Sequence, residues 1–218
     1  GTEIQVPSDI SSAAFFMVGA AITEGSDVTL EAVGINPTRT GVIEILKQMG
    51  ADITVENERI AGGEPIADIR IQGTRTLKGI HMPEDQVPLA IDEFPALFIA
   101  AACAEGRTVL TGAAELRVKE SDRIQVMADG LKTMGIDCTP TDDGIIIEGK
   151  GRSGEWGAIF TGGEIESHHD HRIAMSFSMA GLRTSGEIKI IGTETVATSF
   201  PTFTQLSNQA GLAIQVTE

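Results

Sequence analysis

Residues 95–112 read PALFIAAACAEGRTVLTG, a run of small apolar residues that passes through a glycine into a short segment rich in Thr, Val and Leu. The first part predicts a buried helix, and the second part predicts a β-strand. The same pattern occurs in residues 13–34, AAFFMVGAAITEGSDVTLEAVG, and in residues 173–192, IAMSFSMAGLRTSGEIKIIG. Because the glycine between helix and strand recurs about every 80 residues, the sequence predicts an internally repeated fold.

Each repeat continues with a second helix, whose apolar residues follow helical spacing and which stops at another glycine. In the first two repeats we expect two further strands, over residues 53–55 with 68–72 and over residues 137–139 with 144–148. The third repeat ends at residues 213–218, where we expect one strand instead of a pair.

The order of these elements predicts an α/β fold built from three βαβαββ units, the third of them incomplete. The units cover roughly residues 4–86, 87–165 and 166–218, and together they form one lobe over residues 1–218. A missing strand leaves an unpaired sheet edge and an uncovered apolar face. We therefore expect a segment outside this chain to supply it.

The composition is that of an ordinary globular protein, with 41% apolar and 22% charged residues among 218. Apolar runs reach about ten residues, whereas a membrane-spanning helix needs about 20. The net charge of −15 argues against nucleic acids and anionic membranes as partners, because both bind basic surfaces. An anionic ligand would therefore need a local cluster of cations.

The two cysteines, Cys103 and Cys138, have no C-x-x-C spacing, so the sequence predicts neither a disulfide framework nor a zinc site. A reducing, cytoplasmic location fits this cysteine usage best. The chain begins with Gly close to a predicted strand, and we expect it to be a piece of a longer polypeptide.

The first helix of each repeat begins with residues that favour helix N-termini. These residues are Asp9 with Ser11 and Ser12, Asp92 with Glu93, and Asp170. Repeat symmetry predicts that the three helix starts converge on one face of the lobe. There the carboxylate of Asp92 is either a plain N-cap or a group that accepts a proton or orients a hydroxyl.

The densest group of charges is residues 115–123, ELRVKESDR, between a strand and the second helix of the second repeat. At a helix start Lys119 and Glu120 would share a face with Arg123, and the helix N-terminus would favour a phosphate or carboxylate ligand. The alternative is a surface salt-bridge cluster in which Ser121 is the N-cap and whose ion pairs contribute little.

Three of the four histidines lie in residues 167–172, SHHDHR, at the start of another predicted helix. Neighbouring residues in a loop cannot easily point at one ion, and no further Cys or His set completes four ligands, so no metal site is predicted. An anion site is the better functional interpretation, with Asp170 capping the helix while His171 and Arg172 present donors.

Four motifs together identify a family resemblance. They are IDEFP at 91–95, RVKESDR at 117–123, DHRIAMSF at 170–177 and ATSFP at 197–201, which in this order and spacing resemble the 5-enolpyruvylshikimate-3-phosphate (EPSP) synthase family. NPTRTG at 36–41 and GADITVENERIAGGEPIADIRI at 50–71 also resemble the bacterial enzymes of its glyphosate-tolerant class.

The resemblance implies an enolpyruvyl transferase fold of two similar lobes, each an inverse α/β barrel of three βαβαββ units. This chain resembles the lobe that contains the C-terminus. In the family the N-terminal segment returns to complete that lobe, which agrees with the missing strand. The implied partners are shikimate 3-phosphate, phosphoenolpyruvate and the absent N-terminal lobe, and no metal or organic cofactor is implied.

The resemblance also implies roles for individual residues. Asp92 would bind the shikimate hydroxyls and take part in proton transfer at the attacking 5-hydroxyl, which Lys119 would also contact. Glu120 would serve in proton transfer to the phosphoenolpyruvate methylene, and Arg123 would hold phosphoenolpyruvate.

His171 and Arg172 would close the phosphoenolpyruvate site. Glu115 stands where another branch of the family has Asn, so its substrate contact is the weakest of these expectations.

The implied reaction transfers the enolpyruvyl group of phosphoenolpyruvate to the 5-hydroxyl of shikimate 3-phosphate and releases phosphate. This lobe alone would be inactive. Two alternatives remain: a lobe of the UDP-N-acetylglucosamine enolpyruvyl transferase, which shares the fold, and a non-catalytic module that binds phosphoenolpyruvate or serves as a scaffold. The first is disfavoured by the RVKESDR and DHR pair, the second by the intact set of candidate residues.

Overall fold

The computed structural model describes residues 6–74 and 77–217, so the predicted unit limits at residues 4 and 218 lie outside it. Within those ranges the α-helices are α1 Ile10–Ala21, α2 Gly41–Gln48, α3 Phe94–Cys103, α4 Arg123–Thr133, α5 His171–Ala180, α6 Glu194–Ser199 and α7 Phe203–Gln209. The strands are β1 Asp27–Gly34, β2 Asp52–Ala61, β3 Glu64–Gln72, β4 Glu105–Leu110, β5 Cys138–Thr141, β6 Gly144–Lys150, β7 Gly163–Glu166 and β8 Ile188–Ile191. Short 3₁₀ turns lie at Glu84–Gln86, Ala114–Val118 and Gly181–Arg183.

The strands form three small sheets. The first two have the same antiparallel order, β1-β3-β2 and β4-β6-β5, while β7 and β8 form a parallel pair. Isolated parallel bridges join Ser8 to Val33 and His81 to Val109, so β1 and β4 each have an extended neighbour where β8 has β7. This arrangement confirms the predicted mixed α/β class, and the number and limits of the repeats remain a prediction.

The core lies between the three first helices, α1, α3 and α5, which contact one another. Every residue of α3 is buried, and its alanines let the neighbouring helices approach closely. On α4, a Cβ added to Gly130 would lie 2.3 Å from the Phe177 ring, which is fully buried on α5. An alanine here would therefore have to displace the Phe177 ring or move the two helices apart.

One prediction about the third repeat is wrong. Residues 213–217 form no strand; instead the Asn208 side chain accepts from the backbone N–H of Ile214 at 2.8 Å and donates to its carbonyl at 3.0 Å. A strand needs a neighbouring strand to bond its backbone groups. Here the Asn208 amide bonds the backbone groups of Ile214 instead. Glu194–Ser199 forms the short helix α6.

A groove of 590 Å³ opens between α1, β1 and α7. Its apolar wall includes Phe16, Leu30, Phe200 and Leu206. Among the described residues, β8 pairs with β7 alone. In the described part of the chain no helix is long and apolar enough to cross a membrane.

Candidate active site

Two of the three predicted N-caps are confirmed. The Asp9 carboxylate accepts from the backbone N–H of Ser11 at 3.3 Å and of Ser12 at 2.9 Å, at the start of α1. The Asp170 carboxylate accepts from the N–H of Arg172 at 2.9 Å, at the start of α5. These bonds satisfy helix donors that have no partner within the helix.

Asp92, by contrast, does not cap α3, so the plain N-cap interpretation is wrong. Glu93 occupies the N-cap position without a side-chain capping bond, and Pro95 in the first turn has no N–H to satisfy. The Asp92 carboxylate instead lies 3.2 Å from Arg123 Nη1 and 3.7 Å from Lys119 Nζ. It is therefore available to a ligand beside two cations.

Arg123 joins the starts of three helices. It is the first residue of α4, is 0% exposed, and donates from Nε to Asp170 Oδ2 at 2.9 Å and from Nη2 to Glu120 Oε2 at 2.5 Å. With its bond to Asp92, this one guanidinium holds carboxylates from three separate segments. A buried Arg is tolerated because the planar fork finds all of these acceptors.

The segment before α4 differs from its expected helical geometry. Lys119 and Glu120 precede the helix rather than form its first turn, although both reach the predicted group of charges. The N-cap is Asp122, which accepts from Gln125 N–H at 3.0 Å, so the predicted cap at Ser121 is wrong. The Ser121 hydroxyl instead donates to Asp170 Oδ2 at 2.9 Å.

The pKa values of the two central carboxyl groups lie below their ordinary value. Burial acts to raise the pKa of Asp92, but the positive charges of Arg172, Lys119 and Arg123 outweigh it. Burial likewise acts to raise the pKa of Asp170, and the hydrogen bond and charge of Arg123 outweigh it. Both groups are therefore ionised at neutral pH.

Lys119 remains a cation at neutral pH. Its ammonium group hydrogen-bonds Glu115, which raises the pKa of the lysine, and the charge of Asp92 acts in the same direction. Glu115 is thus placed at the site through Lys119, while its own side chain is 61% exposed.

The start of α5 brings His171 and Arg172 to the same place. Arg172 Nη1 donates to the backbone carbonyl of Asp92 at 3.2 Å. Burial and the charge of Arg172 lower the pKa of the half-buried His171, so its imidazole is neutral at neutral pH. The preceding His168 and His169 have positive φ values of 53° and 59°, a left-handed pair that turns the chain into the helix.

Three residues near the site were not predicted as site residues, although Ser11 and Glu93 were named as residues that favour helix N-termini. Glu93 is 2% exposed and accepts a hydrogen bond from the Ser11 hydroxyl, which accepts in turn from Arg39 Nη2 at 2.6 Å. The signal for Arg39 was its motif, NPTRTG, which occupies the same position in its repeat as RVKESDR in the next. The structure therefore brings all seven predicted residues to one face and adds a second ionic cluster beside them.

The chemistry available here is that of an anion site beside a carboxylate. Lys119 and Arg172 can neutralise a phosphate or carboxylate, and the N-termini of α4 and α5 add partial positive charge. Asp92 can accept a proton from a hydroxyl group, and Glu120 is a second carboxyl that can exchange a proton.

Comparison with known proteins gives a consistent result. The family model for EPSP synthase (3-phosphoshikimate 1-carboxyvinyltransferase) matches residues 1–206. A 3-phosphoshikimate 1-carboxyvinyltransferase from Nitrosococcus oceani is 63% identical over 215 residues, covering 99% of this chain and 46% of that protein. The corresponding protein from Methylococcus capsulatus is 64% identical over 215 residues, covering 99% and 47%. The chain thus spans about half the length of the curated relatives it matches.

Solved structures agree. An EPSP synthase from Acinetobacter baumannii superposes with a TM-score of 0.99 at 88% identity, covering 100% of this chain and 49% of that chain. The enolpyruvyl transferase NikO from Streptomyces tendae superposes with a TM-score of 0.73, covering 97% of this chain and 45% of that one. At 16% identity, this second likeness concerns the fold alone.

Proposed function

Because the chain belongs to the EPSP synthase family, we propose that it is one lobe of an enzyme that joins phosphoenolpyruvate to shikimate 3-phosphate. One observation carries the proposal. The ionised carboxylate of Asp92 lies 3.2 Å from Arg123 and 3.7 Å from Lys119, where the starts of α3, α4 and α5 meet. Such a group of charges suits an anionic substrate that also carries a reacting hydroxyl.

The reaction is an addition followed by an elimination. The 5-hydroxyl oxygen of shikimate 3-phosphate bonds to C2 of phosphoenolpyruvate, loses its proton, and a proton is added to C3. A proton then leaves C3 while the bond from C2 to the phosphate oxygen breaks, which releases inorganic phosphate and restores the double bond. No metal or organic cofactor takes part in this proposal.

The carboxylates and the lysine of the site have different proposed roles. Asp92 binds the hydroxyls of shikimate 3-phosphate and accepts the proton of the 5-hydroxyl, and Lys119 contacts the same oxygen. Glu120, whose side chain is 51% exposed, exchanges the proton at C3. Positive groups at fixed positions stabilise the charge that develops on the substrates.

The remaining residues bind phosphoenolpyruvate. Arg172 and the fixed charge of Arg123 hold its carboxylate and phosphate, and the neutral imidazole of His171 closes the site as a hydrogen-bonding group. Glu115 acts through Lys119, which it holds by an ion pair.

The second lobe would come from the half of the relatives that this chain does not cover. We propose that this half supplies the rest of the substrate site, so that the present lobe is inactive by itself. A cytoplasmic location fits a biosynthetic enzyme of this family and remains a prediction.

Phosphate release from shikimate 3-phosphate plus phosphoenolpyruvate tests this proposal, measured with the chain alone, with the chain mixed with the N-terminal half, and with the full-length protein. We expect release from the full-length protein and the mixture, and none from the chain alone. Release from the chain alone would refute the split site. No release from the full-length protein would refute the proposed enzymatic activity. Binding of phosphoenolpyruvate without release would then favour a non-catalytic module. UDP-N-acetylglucosamine as acceptor tests the alternative transferase.

A further inference from the structure

Arg117 is the one cation of the motif RVKESDR to which the proposed chemistry assigns no role, and it lies two residues before Lys119. Its side chain is 27% exposed. Nη1 donates to Asp122 Oδ2 at 2.7 Å, Nε donates to the backbone carbonyl of Asp142 at 2.9 Å, and Nη2 donates to the backbone carbonyl of Thr141. Each of the three guanidinium nitrogens therefore has an acceptor within the protein.

These acceptors belong to two separate elements. Thr141 and Asp142 lie where β5 ends and the chain turns into β6. Asp122 is the N-cap of α4, and its second oxygen, Oδ1, accepts from the backbone N–H of Gln125 at 3.0 Å. Arg117 therefore ties the segment that leads into α4 both to the start of that helix and to the β5–β6 turn.

The β5–β6 turn is a firm support. The Asp143 carboxylate accepts from the backbone N–H of Gly112 at 2.9 Å, and the Asp143 carbonyl accepts from the N–H of Ala113 at 2.7 Å. A Cβ added to Gly144 would lie 1.9 Å from the backbone oxygen of Leu110, so β4 and β6 are in close contact here. The two carbonyls that Arg117 binds are thus held in place by the second sheet.

The segment between Arg117 and α4 has little else to hold its backbone. Lys119 and Glu120 lie in neither a helix nor a strand. Among the described residues, none forms a backbone-to-backbone hydrogen bond with Glu120 or Ser121. Val118 is 80% exposed, so apolar packing contributes little at that position. Side chains must therefore fix the path of this segment.

Two side chains of the segment do so. The Ser121 hydroxyl bonds Asp170 at the start of α5 at 2.9 Å, and Arg117 bonds the β5–β6 turn. The second task suits a guanidinium, because its planar fork can donate to two neighbouring carbonyls and a carboxylate at once. A lysine ammonium is a compact charge that could keep the attraction to Asp122 but not the three directed bonds.

We propose that Arg117 is a positioning residue, which holds Lys119 and Glu120 at the reaction centre by fixing their segment to the β5–β6 turn. The inference rests on the proposed function. Arg117 acts through the backbone of the segment and not on the substrates. Arg123 and Arg172, which bind phosphoenolpyruvate in the proposed function, lie on α4 and α5 and have their own partners.

The test is Arg117→Lys in the full-length protein, with kcat, both KM values and Tm measured, and with the kinetics followed well below Tm. We expect kcat to fall about ten- to hundredfold, because small displacements of reacting groups are costly. KM for phosphoenolpyruvate should stay within about threefold, and Tm should fall by less than about 4 °C, since the charge is kept. A merely structural role would lower Tm and leave kcat unchanged at these temperatures.

Asp122→Asn provides a second variant, which keeps an oxygen to cap α4 but removes the charge that Arg117 binds. We expect kcat to fall at least about threefold, again with KM for phosphoenolpyruvate preserved. This variant decides the question if Arg117→Lys fails to fold, since an unchanged kcat in Asp122→Asn would then overturn the inference.

Arg107→Lys is the matched control, because Arg107 also pairs with a carboxylate, Glu148, at 2.6 Å, but its side chain is 64% exposed. It should leave kcat and both KM values unchanged. A kcat of Arg117→Lys within about threefold of the unaltered protein would overturn the inference, as would a tenfold rise in KM for phosphoenolpyruvate. If the unaltered full-length protein releases no phosphate, the proposed function fails first, and this inference fails with it.

Discussion

Asp92 is the carboxylate on which the proposed chemistry depends, and the cations around it keep it charged. Asp92→Asn keeps the shape of the side chain but removes the base, so we expect kcat to fall by about 10²–10⁴-fold. Tm should change little, because Asp92 is only partly buried. Steady-state kinetics and thermal unfolding of the full-length variant check this. A kcat within about threefold of the unaltered protein would show that Asp92 is not the base.

The pH dependence of the activity provides a second check on Asp92. The pKa of this carboxyl lies below its ordinary value of 3.8, since Arg172, Lys119 and Arg123 outweigh the effect of burial. The charged form is thus lost only as the pH falls through the depressed pKa. We expect no loss of kcat attributable to Asp92 between pH 7 and about pH 4.5. A decline in that range that Asp92→Asn abolishes would contradict the assigned pKa direction.

Arg123 should matter for stability as well as for binding. Arg123→Met leaves the Asp170 carboxylate, which is 0% exposed, without its ion partner, and breaking such a pair costs about 3–5 kcal/mol. Denaturant unfolding of the full-length protein measures this loss. Arg70→Met is the control: Arg70 also pairs with an aspartate, Asp27, but the pair is exposed to solvent and should contribute far less.

The loss from Arg123→Met should also depend on pH. In the unaltered protein the pKa of Asp170 is depressed, so its contribution to stability is complete above about pH 4 and is lost as the pH falls through the folded-state pKa. Without Arg123, burial instead raises the pKa of Asp170. Protonation of Asp170 at lower pH then reduces the loss of stability in the variant. We expect the difference in unfolding free energy between the unaltered protein and Arg123→Met to become smaller from pH 7 to pH 4. A difference that stays constant would contradict the ion pair between Arg123 and Asp170.

How far the sequence predicts a residue's role depends on how local its contacts are. The caps at Asp9 and Asp170 could be predicted because each bond spans two or three residues. Asp92 was ambiguous because its partner Arg123 lies 31 residues away. Glu93 was recognised only as a helix-start residue, since its hydrogen bond to Ser11 spans 82 residues and depends on how two helices pack.

Among the elements, the contact between α4 and α5 gives a prediction opposite to helix propensity. Alanine normally stabilises a helix relative to glycine by about 1 kcal/mol. At Gly130, however, the new methyl group would lie 2.3 Å from the buried ring of Phe177. We expect Gly130→Ala to destabilise the protein by about 1–3 kcal/mol through overpacking.

Gly181→Ala is the matched control, because Gly181 follows α5 with right-handed φ and a Cβ there would meet nothing within 4 Å. We expect this variant to be as stable as the parent or more so. Thermal unfolding of both variants distinguishes the steric clash with Phe177 from the effect of helix propensity on stability. A Gly130→Ala protein as stable as the parent would mean that α4 and α5 can move apart.

Helices and strands could be predicted wherever the pattern itself carries the information. The alternation from small-residue helix to β-rich strand correctly indicated α1 with β1, α3 with β4 and α5 with β8. The predicted strand at 213–218 failed because its β-like residues have no neighbour to pair with among the described residues. The sequence pattern reports preference for a strand, whereas pairing depends on the rest of the molecule.

For the whole molecule, the groove beside α7 is where we expect the other half to dock. Leu206 lines this groove and is 40% exposed. In the mixing experiment, Leu206→Asp should weaken association of the two halves by at least about tenfold, because a charge would be buried in an apolar contact. Titration of restored phosphate release with the N-terminal half measures the effect.

Ile60→Asp is the control for that experiment, since Ile60 is more exposed, at 70%, and does not line the groove. It should leave association unchanged. Equal effects of both variants would place the second half elsewhere on the surface.

At this scale the repeat is a prediction from the spacing of glycines and apolar runs. The ion pairs that join the predicted units could not be foreseen, because Arg39 and Arg123 each connect one unit to the next through side chains distant in sequence.

The central place of Arg123 restricts how such an enzyme can change over generations. Its guanidinium is fully buried and bonds Asp170 as well as Asp92 and Glu120 of the proposed site, so most substitutions there would remove the protein from the cell before a new catalytic property could be selected. Lys119 and Glu120 are less confined, with side chains 22% and 51% exposed. Under the proposed function, new substrate preferences would therefore arise through these two positions, while Arg123 stays fixed beside them.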